Sequence, residues 1–235
     1  MSDSNRQDSA RPVGAPVDDR PAEPPGAVTL VGRYGHIEKL RAEHAASLWD
    51  AVEGHDSIWT YMSQYGPFAG AEDFEHWVRG RTALADPYSY AIVDNDDRCL
   101  GIATLMEVKP LMRVVEVGHI VYSPALQRTA LGTEAQYLLA RYVFETLRYR
   151  RYEWKCDALN AASRRAALRY GFIFEGVLRQ HMIAKGRNRD TAYFSMLDSE
   201  WPARKANFEH WLIPANFTAD HRQILSLSTL NRVET

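Results

Sequence analysis

A short polar turn between a predicted strand and a predicted helix is the part of this chain best suited to chemistry. The turn runs from Gln127 to Thr133 and consists of small and polar residues with one cation, Arg128. At a helix N-terminus the backbone N–H groups lack partners within the helix, and the dipole favours negative charge. Such a turn can therefore bind a phosphate or pyrophosphate through its amides. An ordinary strand-to-helix connection has the same pattern, and local sequence leaves both interpretations open.

Two flanking elements must hold this turn in place. The strand Val114–Tyr122 precedes it and ends at Ser123-Pro124, because proline cannot continue the strand pairing. The helix that follows has apolar residues three and four positions apart, which is typical of an amphipathic helix on a core. We expect Thr133 and Glu134 in its first turn, where polar and acidic groups suit the dipole. The apolar positions are Ala135, Leu138, Leu139, Tyr142, Val143 and Leu147.

Length and composition narrow the function classes. The chain has 235 residues, 46% of them hydrophobic, which is enough for a substantial core. Its net charge of −2 gives no electrostatic reason to expect nucleic acid or an anionic membrane as partner. Cys99 and Cys156 are far apart, so we expect no metal site, no disulfide framework and a reducing, cytoplasmic compartment. No apolar run is long enough to span a bilayer, and no secretory signal is evident.

The order of predicted elements indicates the fold class. It predicts an α+β (mixed α/β) domain built around a central sheet. A regular βαβ alternation and a Gly-x-x-x-x-Gly-Lys phosphate loop are both missing, which argues against a dinucleotide-binding or P-loop fold. The predicted elements are a strand pair (28–40), two helices (42–53, 71–84), three antiparallel strands (88–93, 99–108, 113–122), the long helix, a strand (151–157), a short helix (161–170) and a hairpin (172–184, 191–197) joined by residues 185–190.

Three regions divide the chain. Residues 1–26 are rich in Pro, Asp, Ser and Arg with almost nothing to bury, so we expect a disordered leader. Residues 27–201 form the predicted domain. Residues 202–235 are expected to form a C-terminal helix and a tail that pack on its outside.

Three segments carry a family resemblance. The turn has Gln127, Ala130 and Gly132 at the positions of a Gln-x-x-Gly-x-Gly loop, with alanine for the first glycine. The segments Asn160–Gln180 and Gly186–Trp201 match further motifs of the same family. Over residues 28–201 the chain thus resembles the GCN5-related N-acetyltransferases (GNAT), in particular their RimJ/RimL-like branch, which acetylates ribosomal-protein N-termini. The resemblance implies a central, mostly antiparallel sheet flanked by helices, with a splayed central strand pair and acetyl-coenzyme A (acetyl-CoA) as cofactor.

The resemblance assigns the cofactor mainly to main-chain groups. The strand edge at Ile120, Val121 and Tyr122 would pair with the pantetheine amides, and the N–H of Val121 would polarise the thioester carbonyl. Asn160 would bond the pantetheine arm, although an asparagine there suits a helix N-cap as well. The turn would hold the pyrophosphate, and its residues are Gln127, Arg128, Thr129, Ala130, Leu131, Gly132 and Thr133.

Acetyl transfer to an amine needs a base for the amine proton and an acid for the departing thiolate. Ala167 stands where many family members have a tyrosine acid, and the resemblance implies Ser163 in that role. Glu116, on the central strand, matches a glutamate that acts through water in the family. Alternation places His119 on the opposite face of that strand from Glu116, unless a bulge intervenes.

We expect an N-acetyltransferase that acetylates a primary amine, either a protein N-terminal α-amine or a small molecule, by direct attack in a ternary complex. Because the tyrosine acid is missing, a non-catalytic acyl-CoA-binding or sensor module remains the alternative, and a nucleotide-binding α/β protein is a third interpretation. Exposed strand edges are compatible with a homodimer. The hairpin around residues 187–190 and an aromatic segment form the predicted acceptor pocket, with Trp59, Tyr61, Tyr65 and Phe68 as its aromatic wall.

Overall fold

A single twisted sheet organises the computed structural model, which describes residues 11–220 and 222–232. The strands are β1 (Leu30–Val31), β2 (Gly35–Lys39), β3 (Tyr88–Asp94), β4 (Cys99–Lys109), β5 (Val114–Tyr122), β6 (Arg151–Asp157), β7 (Ile173–Ala184) and β8 (Arg187–Leu197). The α-helices are α1 (His44–Val52), α2 (Ala71–Thr82), α3 (Ala130–Arg141), α4 (Ala161–Arg169), α5 (Trp201–Leu212) and α6 (Leu227–Leu230). The strand order is β1-β2-β3-β4-β5-β6-β8-β7, and only β5 and β6 run parallel. This architecture confirms the predicted α+β class.

Helices cover both faces of the sheet. One core lies between the sheet and helices α1 and α2, where Leu48 and Phe74 are fully buried. The other core lies on the opposite face, where α3 and α5 contribute Leu138, Leu139 and Phe208. The apolar spacing of α3 thus has the packing role that the sequence indicates. Within residues 11–220 and 222–232, every helix is too short or too polar to cross a bilayer.

Strands β5 and β6 separate part-way along their length. They pair where Val114–Val117 runs beside Arg151–Trp154. Beyond Val117, β5 continues its pairing with β4, and β6 continues its pairing with β8. The splayed central strand pair is therefore present, and it opens a gap in the sheet next to the turn that precedes α3.

A bulge interrupts β5 at His119, whose φ of +47° is left-handed. Around this point β5 has one residue more than β4. Val117 and Ile120 consequently pack on the same core, although simple alternation would place them on opposite faces. His119 instead contacts Tyr65, on the face where α1 and α2 pack. The expectation from simple alternation that His119 lies opposite Glu116 is wrong, because the bulge shifts the alternation.

Helix α3 begins earlier than its apolar pattern indicates. Thr129 is its N-cap, and the Thr129 hydroxyl oxygen accepts a hydrogen bond from the N–H of Gly132 at 3.0 Å. The prediction that Glu134 lies in the first turn is wrong. Its buried carboxylate accepts hydrogen bonds from the backbone N–H groups of Arg33 at 2.7 Å and Tyr34 at 2.8 Å. Glu134 therefore fastens the β1–β2 connection to the helix.

The segment before β1 packs on the domain. The N–H of Ala22 donates to the carbonyl of Pro110 at 3.1 Å, and the N–H of Glu23 donates to that of Leu147 at 3.0 Å. Ala22 is buried. Residues 22–26 thus belong to the folded domain, contrary to the prediction of a disordered leader that extends to residue 26. The first ten residues of that predicted leader lie outside the described chain.

The C-terminal elements extend the domain. Strands β7 and β8 connect through Lys185-Gly186, both with positive φ, which is a tighter turn than the predicted loop of residues 185–190. Helix α5 begins at Trp201, and the ring of Tyr137 in α3 packs against Trp201 and Phe208. The predicted C-terminal helix therefore packs on α3.

We expect Glu134→Ala to lower the free energy of unfolding by about 1–3 kcal/mol, because two partly buried hydrogen bonds would lose their acceptor. Glu134→Gln should cost less, since its amide oxygen can still accept one of them. Urea unfolding measures both. The exposed Glu43→Ala is the control and should stay within about 0.5 kcal/mol of the wild type. A Glu134→Ala protein as stable as that control would contradict the fastening role.

Candidate active site

A cleft of about 2170 Å³ opens where β5 and β6 diverge. It reaches from the turn before α3 to the β7–β8 hairpin, and its size exceeds what a drug-sized ligand fills. The cleft therefore suits a long ligand together with a second one. The predicted site residues that line it are Tyr61, Glu116, Ile120, Tyr122, Gln127, Arg128, Thr129, Ala130, Leu131, Gly132, Thr133, Asn160 and Ser163.

The turn before α3 has unpaired backbone donors. Arg128 has a left-handed φ of +62°, which lets the chain reverse ahead of the helix. The N–H of Gly132 is taken by its cap, Thr129. Within the described chain, the N–H groups of Arg128, Ala130 and Leu131 make no hydrogen bond. Three free donors at the positive end of a helix, on residues that line the cleft, can hold a diphosphate.

Gly132 is required by packing beneath the turn. A Cβ at this position would lie 2.8 Å from the carbonyl oxygen of Leu126 and 3.1 Å from the ring of Tyr122. The side-chain position therefore faces the protein, and a larger residue would displace the turn instead of contacting a ligand. Arg128 is exposed on the same turn and is the better position for probing anion binding.

Backbone alternation decides which groups of β5 face the gap. The N–H of Ser123 donates to the carbonyl of Leu100 at 3.1 Å, so Val121, two residues earlier, also directs its N–H toward β4. Tyr122 directs its backbone groups the other way, and its carbonyl accepts a hydrogen bond from Gln127 Nε2 at 3.0 Å. The expected polarising role of the Val121 N–H does not fit this geometry, whereas the N–H of Tyr122 has the required direction.

Asn160 and Ser163 stand at the start of α4. Asn160 is the N-cap, because its Oδ1 accepts a hydrogen bond from the N–H of Ser163 at 3.0 Å. The hydroxyl oxygen of Ser163 accepts one from Trp154 Nε1 at 2.9 Å, and the hydroxyl also lies within hydrogen-bonding reach of the Cys156 thiol. Burial raises the pKa of the neighbouring Cys156 thiol, so this cysteine is a poor nucleophile. A contact of Asn160 with the cofactor would therefore use its amide nitrogen as a hydrogen-bond donor.

Glu116 is buried in a network of ion pairs. Lys155 Nζ lies 2.8 Å from Glu116 Oε2 and 2.9 Å from Glu153 Oε2, and Arg151 joins Glu153 to Glu175. Burial raises the pKa of the Glu116 carboxyl, and Lys155 opposes this effect. Burial alone would lower the pKa of the Lys155 ammonium, but Glu116 and Glu153 raise it overall. Glu116 can therefore act as a base only by weakening this pair.

His119 lies beside two arginines. Its Nδ1 is 3.0 Å from Arg81 Nη2, and arginine can only donate, so Nδ1 accepts and the ring proton is on Nε2. Burial, with help from Arg81 and Arg189, lowers the pKa of His119 to about 4. At neutral pH His119 is thus a neutral hydrogen-bond donor. Sequence reasoning missed Arg81, because no local motif links it to His119, 38 positions away. Arg189 lies within residues 187–190, which were predicted to form part of the acceptor pocket.

The aromatic segment after α1 is mainly core. Trp59 is 2% exposed and packs edge-on against Phe68. Neither ring lines the cleft, contrary to the prediction for the acceptor pocket. Tyr65 packs on His119, and its buried hydroxyl makes no hydrogen bond. Of the four predicted aromatic residues, only Tyr61 lines the cleft.

Arg169 is a further cation that sequence reasoning missed. Its Nη1 donates to Thr133 Oγ1 at 3.1 Å, and its guanidinium lies 4.8 Å from the ring centre of Trp211. Burial lowers its pKa, and none of the groups that raise it is a carboxylate. The guanidinium therefore adds positive charge beside the first turn of α3. From sequence, Arg169 is indistinguishable from a solvated arginine at a helix end.

Comparison with known proteins places this fold and cleft in a family. The family model described as acetyltransferase (GNAT) domain matches residues 36–173. The chain belongs to the GCN5-related N-acetyltransferase family. The crystal structure of a GNAT from Brucella melitensis is 41% identical, with a TM-score of 0.87, and the match covers 90% of this chain and 97% of that one. A GNAT-family structure from Chromobacterium violaceum is also 41% identical, with a TM-score of 0.75 over 82% of this chain and all of that one.

A curated relative identifies the branch. The ribosomal-protein-serine acetyltransferase of Escherichia coli (strain K12) is 27% identical over 179 residues, which cover 69% of this GNAT chain and 99% of the relative. The RimJ/RimL-like resemblance of the chain is thereby confirmed. This chain is an N-acetyltransferase of a family that generally uses acetyl-CoA.

If the turn binds a phosphorylated cofactor, Arg128→Gln should weaken coenzyme A binding about three- to tenfold, because a charge-assisted contact of an exposed side chain is lost. Calorimetric titration at low and high salt measures this loss, which should shrink at high salt. Arg148→Gln is the matched control, since Arg148 is also an exposed arginine with positive φ, beyond the other end of α3. Equal affinities of the wild type and Arg128→Gln would exclude a phosphate contact by this side chain.

Proposed function

We propose that this GNAT chain transfers an acetyl group from acetyl-CoA to a primary amine, either a protein N-terminal α-amine or a small-molecule amine, in a ternary complex. The observation that carries the proposal is one unbroken cleft that joins the free amides of the turn to Ser163 and His119. A related enzyme is named for acetylating a ribosomal-protein serine, which supports a protein N-terminus as one acceptor class.

The residues of the cleft fit acetyl-CoA in charge and in hydrogen bonding. When bound, acetyl-CoA supplies a thioester whose C–S bond breaks as the amine nitrogen forms the new C–N bond. The free amides of the turn, with Arg128 and Arg169, would hold the diphosphate. Asn160 and the exposed backbone of Tyr122 would hold the pantetheine arm. In this structure the Tyr122 carbonyl accepts a hydrogen bond from the Gln127 side chain. That hydrogen bond would be replaced by one from the pantetheine arm.

The N–H of Tyr122 is the candidate that polarises the thioester carbonyl. Pairing of β5 with β4 fixes its direction before any substrate arrives. A donor held in place by the sheet stabilises the negative charge that develops on the carbonyl oxygen without reorganising. Ile120 lines the same gap and can position the thioester by contact.

Ser163 is the candidate acid for the departing thiolate. Its oxygen already accepts a hydrogen bond from Trp154 Nε1, which makes its own proton a better donor. It lines the cleft at the start of α4, beside the Asn160 cap. The hydroxyl would donate a hydrogen bond to the thiolate sulfur as the C–S bond breaks, and would relay to the sulfur the proton that the amine loses to water.

The proton that the amine loses needs an acceptor in the site. Glu116 remains the candidate base, reached through water, and its pairing with Lys155 weakens its basicity. His119 is not suited to this task, because its Nδ1 accepts from Arg81 and its Nε2 carries the proton. An amine that arrives neutral needs no strong base, and positioning would then supply most of the rate.

A thiol-release assay with acetyl-CoA and a panel of peptides and small amines tests the proposal. Release that depends on an amine, with an acetylated product of matching mass, supports acetyl transfer. Coenzyme A binding without release by any amine would instead support the non-catalytic sensor. ATP binding in place of coenzyme A would support the nucleotide-binding alternative.

For Ser163→Ala we expect kcat to fall about 10- to 100-fold, as for loss of a general acid, with coenzyme A affinity nearly unchanged. Single-turnover kinetics and calorimetry measure the two effects. Because the substitution also strips Trp154 Nε1 of its acceptor, the control is Trp154→Phe, which removes that donor and keeps the hydroxyl. If the kcat of Ser163→Ala equals that of the wild type, Ser163 has only a structural role at the start of α4.

A further inference from the structure

Arg81 is a buried positive charge with neutral partners. Near the end of α2, it is 6% exposed. Its guanidinium bonds Ser89 Oγ at 3.3 Å, Thr104 Oγ1 at 3.2 Å and His119 Nδ1 at 3.0 Å. Burial lowers its pKa, but an arginine stays charged at neutral pH. Within the described chain, no carboxylate forms an ion pair with it.

Arg189 brings a second positive charge to the cleft that His119 lines. It lies on β8 and lines the cleft, and its Nε is buried without a hydrogen-bond partner. Its neighbour Asp190 is directed elsewhere, since the Asp190 carboxylate accepts from the N–H of Gln180 at 2.7 Å and from Asn188 Nδ2 at 3.0 Å. Both Arg81 and Arg189 act on His119, because each lowers its pKa.

The acids near this part of the cleft already have partners. Glu116 and Glu153 share Lys155, and Glu153 also pairs with Arg151. Asp157 lines the cleft, and its Oδ1 accepts from the N–H of Leu159 at 2.8 Å. A buried charge without a counterion is costly. The excess positive charge around His119 therefore indicates a ligand of opposite sign.

The groups that face this position are donors. Arginine has no acceptor atom, and His119 has its proton on Nε2, since Nδ1 is turned to Arg81. A carboxylate is the matching ligand, because it only accepts and its geometry fits a guanidinium fork. We propose that Arg189 and His119, in the field of Arg81, bind a carboxylate of the acceptor, so that the substrate is a primary amine carrying a carboxylate.

The position of His119 also limits how far that carboxylate lies from the reacting nitrogen. His119 is three residues before Tyr122 on the same strand, which corresponds to about 10 Å or less at the usual rise per residue. The carboxylate would thus lie within about 10 Å of the amine, a range that includes an amino acid and an acidic N-terminal residue of a peptide. The inference rests on the proposed acetyl transfer for the identity of the reacting group.

Matched acceptors test the preference for negative charge. The first pair is β-alanine and β-alaninamide. The second pair is the tripeptides Asp-Ala-Ala and Asn-Ala-Ala, each of which is blocked at its C-terminus. In the thiol-release assay we expect kcat/KM to favour the carboxylate member of at least one pair by about tenfold or more, as for a charged hydrogen bond. Which pair responds distinguishes a free amino acid from a peptide. No preference in either pair would overturn the inference.

Substitution at Arg189 tests whether this site causes the preference. Arg189→Gln should remove most of it, mainly through a higher KM for the carboxylate acceptor, so that kcat/KM falls much more for the carboxylate acceptor than for the amide acceptor. The control is Arg79→Gln, since Arg79 is exposed on α2 and pairs with Glu75. Because Arg81 is buried, Arg81→Gln can fail to fold, and Arg189→Gln is therefore the variant that tests the site. A preference that survives Arg189→Gln would contradict the site.

Binding in the absence of turnover separates this inference from the proposed function. Calorimetry of both matched pairs on the complex with coenzyme A requires no reaction. Tighter binding of the carboxylate member of either pair, lost in Arg189→Gln, supports the carboxylate site even if no amine is acetylated. Equal or undetectable binding of the two members in both pairs, alongside normal thiol release by other amines, would overturn the site and leave acetyl transfer intact.

Discussion

The short parallel pairing of β5 and β6 is the constraint on which the rest of the site depends. The two strands run together only from Val114 to Val117 on β5. After that, β6 stays with β8, where Cys156 and Asp157 pair with Ala192 and Thr191, while β5 stays with β4. Backbone groups on the inner edges of the gap therefore lack strand partners. A ligand with amides of its own can satisfy them, which explains why a sheet keeps an otherwise costly opening.

The turn beside that gap is held from below by side chains. The hydroxyl of Tyr122 donates to the Gly132 carbonyl at 2.8 Å and accepts from Gln136 Nε2 at 2.9 Å. Thr129 caps the helix, and Glu134 fixes it to the β1–β2 connection. The free amides are thus positioned before a cofactor arrives, so little ordering entropy is lost on binding. The same tyrosine supplies backbone to the gap and a side chain to the turn, which couples the two parts of the cofactor site.

Local patterns in the sequence were sufficient for most elements and for the turn. Apolar spacing located α3, and the Asn160 motif located the start of α4. The sequence could not indicate the bulge at His119, because a left-handed histidine has no composition signal. Without the bulge, side-chain directions beyond residue 118 were assigned to the wrong face. Arg81 and Arg169 were missed for a related reason, since only tertiary packing distinguishes a buried guanidinium from a solvated one.

The bulge links the proposed acceptor site to the strand proposed to hold the cofactor. It turns His119 toward Arg81 and Tyr65, while Ile120, the next residue, faces the other core and the cleft. A regular strand would place one of these two residues on the wrong face. Tyr122 lies three residues after His119 on β5, so a shift of Arg81 would reach this strand through its contact with His119. Arg81 would thus influence both the charge of the proposed acceptor site and the alignment of the proposed cofactor strand, because a single backbone irregularity serves both.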